Sequence, residues 1–219
     1  MDVKFTLDVK GEKRVEIRAT GKEKQRITVV LGIDLLNTIT IKPYIILKGK
    51  TQRSLKNVNL SEDYNISFQK NSWCTENVFI DFLNTFLQNK KILLLLDNFK
   101  SHDTENVLNF LHNNFPFVQV EFLPPNTTPI LQPLDVGINK PFKSKIKNDY
   151  LVWLLNNFEN KIKINGITGK EHTNLLISWI FDSWNKVDIN CIKNSFRFCG
   201  YTEDLATIPK WKKYYCVNE

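Results

Sequence analysis

The sequence contains no Cys-x-x-Cys pair and no histidine at zinc spacing from a cysteine, which argues against a metal ribbon or a dithiol redox motif. Its four cysteines, Cys74, Cys191, Cys199 and Cys216, read as reduced intracellular thiols. It also lacks any apolar run near the ~18 residues that a bilayer span requires. The longest is Ile92 to Leu96, and the first residues are mixed and charged, so neither a membrane span nor a leader is expected. Internal repeats and low-complexity tracts are missing as well.

What is present suits a globular domain. The 219 residues are 42% hydrophobic and 12% aromatic, enough apolar surface to offset the entropy of ordering one domain. Thirty Lys and Arg against 23 Asp and Glu leave a net charge of +7 and an isoelectric point near 9.1, which suits a polyanionic partner.

From Arg14 to Leu47 the pattern is strand-like. Val15 and Ile17 alternate with charges, and Ile27 to Leu31 and Ile39 to Leu47 are rich in β-branched residues, so two or three antiparallel strands are expected. Residues 48–72 are polar and aperiodic and read as a loop. After Thr75, an N-cap candidate, Val78, Phe79, Phe82, Leu83, Phe86 and Leu87 recur at helical spacing. Ile92 to Leu96 reads as a central parallel strand buried on both faces. A helix capped by Asp103 and a strand from Val118 to Phe122 complete a βαβ unit.

Pro124 to Pro129 reads as a loop that cannot pair in a sheet. Leu134, Ile138, Phe142, Ile146 and Tyr150 then step by four along a long helix, in which Pro141 removes the hydrogen bond to Gly137 and predicts a kink. A charged connector around Lys161 to Lys170 precedes two helices. One carries Trp179, Ile180, Ser183 and Trp184; the other is capped by Asp188, contains Ile192 and Phe196, and closes at Gly200.

Two aspartates stand out. Asp97 sits at the C-terminal end of the apolar strand, where open α/β sheets place ligand sites, and Asn98, Ser101 and His102 follow it. Asp135 begins the long helix. Taken singly, the first is as readily a turn former and the second a carboxylate favoured by a helix N-terminus. Taken together they suggest phosphodiester chemistry, in which two magnesium ions ~4 Å apart rest on a few hard carboxylates.

The segment Ile92-Leu-Leu-Leu-Leu-Asp-Asn-Phe-Lys-Ser-His102 resembles the second-aspartate motif of DDE-type transposases of the pogo, Tigger and jerky group. Phe122-Leu-Pro-Pro-Asn-Thr-Thr-Pro-Ile-Leu-Gln-Pro-Leu-Asp135, continuing to Lys143, resembles the third-aspartate motif, and this one is highly specific. Gly11 to Gly21, Arg26 to Leu31 and Lys48 to Thr51 are similar to the early strands of that family, and Trp184 and Ser195 to Gly200 to its C-terminal helices.

The resemblance implies an α/β, ribonuclease H-like mixed sheet flanked by helices, with a catalytic domain over 1–155 and a helical extension over 156–219. It implies that Asp97 and Asp135 are metal-binding carboxylates for magnesium or manganese, with His102 positioning a phosphate or water or capping its helix. His112 and His172 are read as structural. Lys140, Lys143 and Lys147, at i, i+3 and i+7 beside Lys145, are candidate contacts to DNA phosphates, unless they simply form a solvated face. The expected partners are DNA and a second copy of the chain, with no membrane and no small-molecule cofactor; the expected location is the nucleus.

The family's first aspartate lies in an Asp-Glu-Thr-Pro motif that does not occur in these residues. The expectation is therefore a domain starting downstream of that motif, without the family's first strand or its N-terminal helix-turn-helix, and catalytically crippled. Asp2 replaces the motif only if about nine residues were deleted between them. The alternatives are an active metal-dependent endonuclease and a domesticated module that binds DNA or protein without cutting.

Overall fold

The computed structural model describes residues 27–35, 39–49, 64–87, 91–159 and 169–201. The strand pattern expected around Val15 and Ile17 and the connector around Lys161 lie outside them.

Strand β1 (Thr28–Asp34) pairs antiparallel with β2 (Ile39–Lys48), with a register shift between Val30 and Gly32. The expected loop over 48–72 holds a further strand, β3 (Asn65–Gln69), parallel to β2 in the register Tyr44 to Asn65 and Lys48 to Gln69. Polar Asn65, Ser67 and Gln69 hid it; its alternating Ile66 and Phe68 were the period-2 signal.

Helix α1 (Glu76–Phe86) buries Val78, Phe79, Phe82 and Leu83, the stripe expected from the sequence. Its cap residue Thr75 makes no side-chain bond into the helix and instead accepts from Gln69 Nε2 at 3.2 Å, joining α1 to the end of β3. Strand β4 (Ile92–Leu96), helix α2 (Glu105–Asn114) and strand β5 (Val118–Phe122) form the expected unit, with β4 and β5 parallel. Two details differ from expectation. Thr104, not Asp103, caps α2, its hydroxyl accepting from Val107 N at 3.3 Å. Strand β4 has β5 as its one strand neighbour among the described residues, and Leu93 is 57% exposed, so β4 is not buried on both faces.

Short helix α3 (Thr128–Leu131) and a π-helical turn (Leu134–Ile138) lead into α4 (Asn139–Glu159). Pro141 therefore lies inside a helical run that continues from the π turn, and the irregularity expected from its missing N–H takes the form of that π turn just before it. The Gly137 carbonyl that Pro141 leaves free accepts the Cys191 thiol at 3.3 Å. Helices α5 (Gly169–Asn185) and α6 (Ile189–Cys199) complete the order. Asp188 caps α6 through its bond from Asn190 N at 2.8 Å, and Gly200 ends it at φ 87°, a conformation only glycine adopts freely.

Alternation along β2 divides the core. Tyr44 and Ile46 join α1, α2 and Leu96 in one cluster; Ile45 and Leu47 join Ile138, Phe142, Ile146, Ile177, Ile180 and Trp184 in another. A β-carbon added at Gly137 would run into Ser195 Oγ and lie 3.3 Å from Ser195 Cβ, and that hydroxyl is already bonded to Cys191 O at 2.8 Å. Gly137→Val should therefore destabilise the fold by about 1–3 kcal/mol, measured by urea unfolding, and Ser195→Gly in the same chain should restore part of it.

Candidate active site

The site begins where β4 ends. Leu123 N donates to Leu96 O at 2.8 Å, which extends the β4–β5 pairing by one bond and fixes the backbone just before Asp97. The chain then turns, with His102 N donating to Phe99 O at 2.8 Å. This brings His102 Nδ1 to 2.6 Å from Asp97 Oδ1. An ionised carboxylate only accepts, so Nδ1 carries the proton and the imidazole donates.

The imidazole is itself held by aromatic rings. It stacks on Phe79 of α1 with centroids 3.9 Å apart and lies 5.4 Å from Phe99. The His102 side chain is 13% exposed while Asp97 keeps 35%, so the carboxylate stays open to a ligand and the ring behind it does not. His102 thus faces the carboxylate of Asp97, and no bond from it caps a helix. Close by, burial pushes the Cys74 thiol up to about 11, and the charge of Asp97 adds to the shift.

Asp135 comes from the segment that follows β5. Pro124 and Pro125 end β5, and Asn126 turns the chain at φ 65°, which asparagine tolerates better than most residues. Thr127 Oγ1 donates to Pro124 O at 2.6 Å and closes the turn. Helix α3 follows, and the amides of Asp135 and Val136 both donate to Gln132 O at 3.0 Å as the π turn starts. Asp135 itself is exposed, and its Oδ1 accepts from Asn139 Nδ2 at 2.7 Å.

Asp97 and Asp135 line one cavity of about 710 Å³, together with His102, Gln132, Asn139 and Lys143. Among the described residues no cluster of three or more His, Cys, Asp or Glu side chains could hold a metal ion. The Gln132 side-chain oxygen is buried without a hydrogen-bond partner, a hard oxygen of a residue lining the same cavity as the carboxylates that sequence reasoning had not singled out. Its signal was its place in the Leu-Gln-Pro-Leu-Asp segment.

The same cavity runs between the two sheets. Residues 27–31, from the start of β1 onwards, and Leu95 and Leu96 of β4 line it, with Phe79 and Phe82 of α1 on one side and Phe142 and Ile146 of α4 on another. No strand among the described residues pairs with the outer edge of β1 or of β4.

Of the lysines, Lys140, Lys143 and Lys147 belong to α4, and Lys143 reaches the cavity. Lys140, Lys143 and Lys147 are all exposed. Lys145 is half-buried, and its ammonium donates to the Lys186 carbonyl at the end of α5. His112 is exposed in the last turn of α2, and His172 is buried on α5 at the cavity wall. No described helix is long and apolar enough to cross a membrane.

Residues 24–196 match the family model of DDE superfamily endonucleases, which takes in everything from β1 through most of α6. The chain is 29% identical to the mouse protein "Pogo transposable element with KRAB domain" and 28% to its human counterpart, over 92% of this chain and 33% of each of theirs. It is 25% identical to CENP-B homolog protein 2 of Schizosaccharomyces pombe, over 83% of this chain and 37% of that protein. The chain therefore spans about a third of the length of these relatives. No solved structure gives a significant match.

Proposed function

Because this chain belongs to the DDE superfamily endonucleases, a membership carried by residues 24–196, we propose that it is a transposase-derived domain that binds DNA through its phosphates and does not cut it unaided. The observation that supports this most directly is that Asp97 and Asp135, far apart in sequence, line one cavity with Lys143. Carboxylates with a cation beside them suit a phosphodiester approached through hard divalent ions.

The donor chemistry fits magnesium or manganese: Asp97 and Asp135 offer carboxylates, and Gln132 offers an unpartnered amide oxygen. When bound, such ions activate the attacking oxygen and stabilise the leaving one. The chain's part is to hold and orient. His102 fixes one carboxylate by its Nδ1–H bond, and Asn139 fixes the other through its amide. Two ions need about three carboxylates for charge balance, so this pair falls one short.

The fold behind this reading is a ribonuclease H-like sheet whose first strand would lie between β1 and β4. The cavity bordered by both of those strands supports it, as does the division of the strands into a set of three and a set of two. Edges of β1 and β4 that no described strand covers would also favour pairing with a second chain, which makes self-association part of the proposal. A nuclear location accords with the basic charge and the DNA partner.

The test pairs DNA binding with DNA cutting. Fluorescence anisotropy with a duplex should show affinity that falls steeply between about 50 and 200 mM salt, with or without magnesium. Plasmid incubated with the chain and manganese should stay supercoiled. Nicking that Asp97→Ala and Asp135→Ala both abolish would overturn the crippled-domain reading in favour of an active endonuclease. Absence of salt-sensitive binding by the folded chain would overturn the DNA reading and leave a protein-binding module.

A further inference from the structure

We propose that Gln132 is a ligand of the divalent-metal site, its side-chain oxygen completing with Asp97 and Asp135 a mixed carboxylate and amide donor set. The inference rests on the metal chemistry proposed above and deepens it. Three observations meet at this residue. Its Oε1 is buried and has no hydrogen-bond partner. It lines the cavity that the two aspartates line. Of the amides that follow it, those of Asp135 and Val136 are both taken by the Gln132 backbone carbonyl at 3.0 Å.

A buried amide oxygen without a donor is costly, because it has lost its water and gained nothing. A hard cation removes that cost, since magnesium, manganese and calcium all accept amide carbonyl oxygens beside carboxylates. The backbone around Gln132 is also suited to hold a ligand. Its carbonyl caps the π turn that carries Asp135, so the two donors are placed by one rigid piece of backbone. A neutral donor adds coordination without charge, which leaves the local charge to the aspartates and Lys143.

Manganese titrations of the full chain, followed by electron paramagnetic resonance of the free ion, test this without reference to DNA or cutting. The wild type should bind manganese at a saturable site that Asp97→Ala and Asp135→Ala each remove. Gln132→Leu, close in size but without the oxygen, should weaken binding by about tenfold or more. Gln132→Glu, which keeps an oxygen and discards the amide's donors, should bind at least as tightly as the wild type. Circular dichroism melting of each variant separates a lost ligand from a lost fold. Unchanged manganese affinity in a folded Gln132→Leu chain would overturn the assignment while leaving the aspartate site standing. A wild type with no manganese site would overturn it as well, and salt-sensitive DNA binding would then still stand or fall by its own measurement.

Discussion

Trp184→Ala should cost the fold about 3–5 kcal/mol, the upper range for truncating a buried aromatic. Trp184 is fully buried, its Nε1–H donates to Ile41 O at 2.8 Å, and its ring meets Phe142 edge-on at 5.3 Å. One side chain thereby ties α5 to β2 and to α4. Alanine removes the packing, leaves a cavity among Phe142, Ile177 and Ile180, and strips the Ile41 carbonyl of its donor. For a chain of this size the melting temperature should fall by about 10 °C, read by calorimetry or far-ultraviolet circular dichroism. Trp184→Phe should lose less, because it keeps most of the volume and gives up the hydrogen bond. A melt of Trp184→Ala within a degree or two of wild type would mean that α5 does not hold the second core cluster together.

The other large effect concerns DNA. Alanine at Lys140, Lys143 and Lys147 together should lower the slope of log affinity against log salt by about 3, close to one unit for each phosphate that is no longer neutralised. All three residues belong to α4, and Lys143 stands at the cavity with the aspartates. Lys145→Ala serves as the contrast. Its ammonium is bonded to the Lys186 carbonyl, so its loss should leave the salt slope nearly unchanged although the net charge falls as it does for any single lysine. Equal slope changes for Lys145→Ala and Lys143→Ala would show that only bulk charge matters and that α4 is no docking face.

The sequence carried much of this architecture because its strongest signals were local. The apolar run of β4, the helical stripe of α1, the Asp188 cap and the Gly200 stop of α6 are each decided within a few residues. Strand β3 was invisible because Ile66 and Phe68 are outnumbered by polar neighbours and gain their meaning only from pairing with β2. The exposure of Leu93 was likewise out of reach, since a strand's burial depends on what lies across from it. The motifs singled out both aspartates, which line one cavity, yet the unpartnered oxygen of Gln132 and the partner of His102 depend on where side chains meet in space. Pro141 shows a third case. The missing hydrogen bond was foreseen correctly, but the π turn and the thiol from α6 that answer it were not written in the neighbouring residues.

The ring pair formed by Phe79 and His102 sets the order in which the two carboxylates are placed. Asp97 is steadied by an imidazole whose own position is fixed by a residue of α1, whereas Asp135 is steadied by Asn139 within its own stretch of backbone. One carboxylate is therefore finished only when a distant helix has docked, and the other is finished as soon as its helix winds. Loosening α1 would disorder Asp97 while Asp135 stays in place, so a partly opened molecule would keep one carboxylate ordered and lose the other.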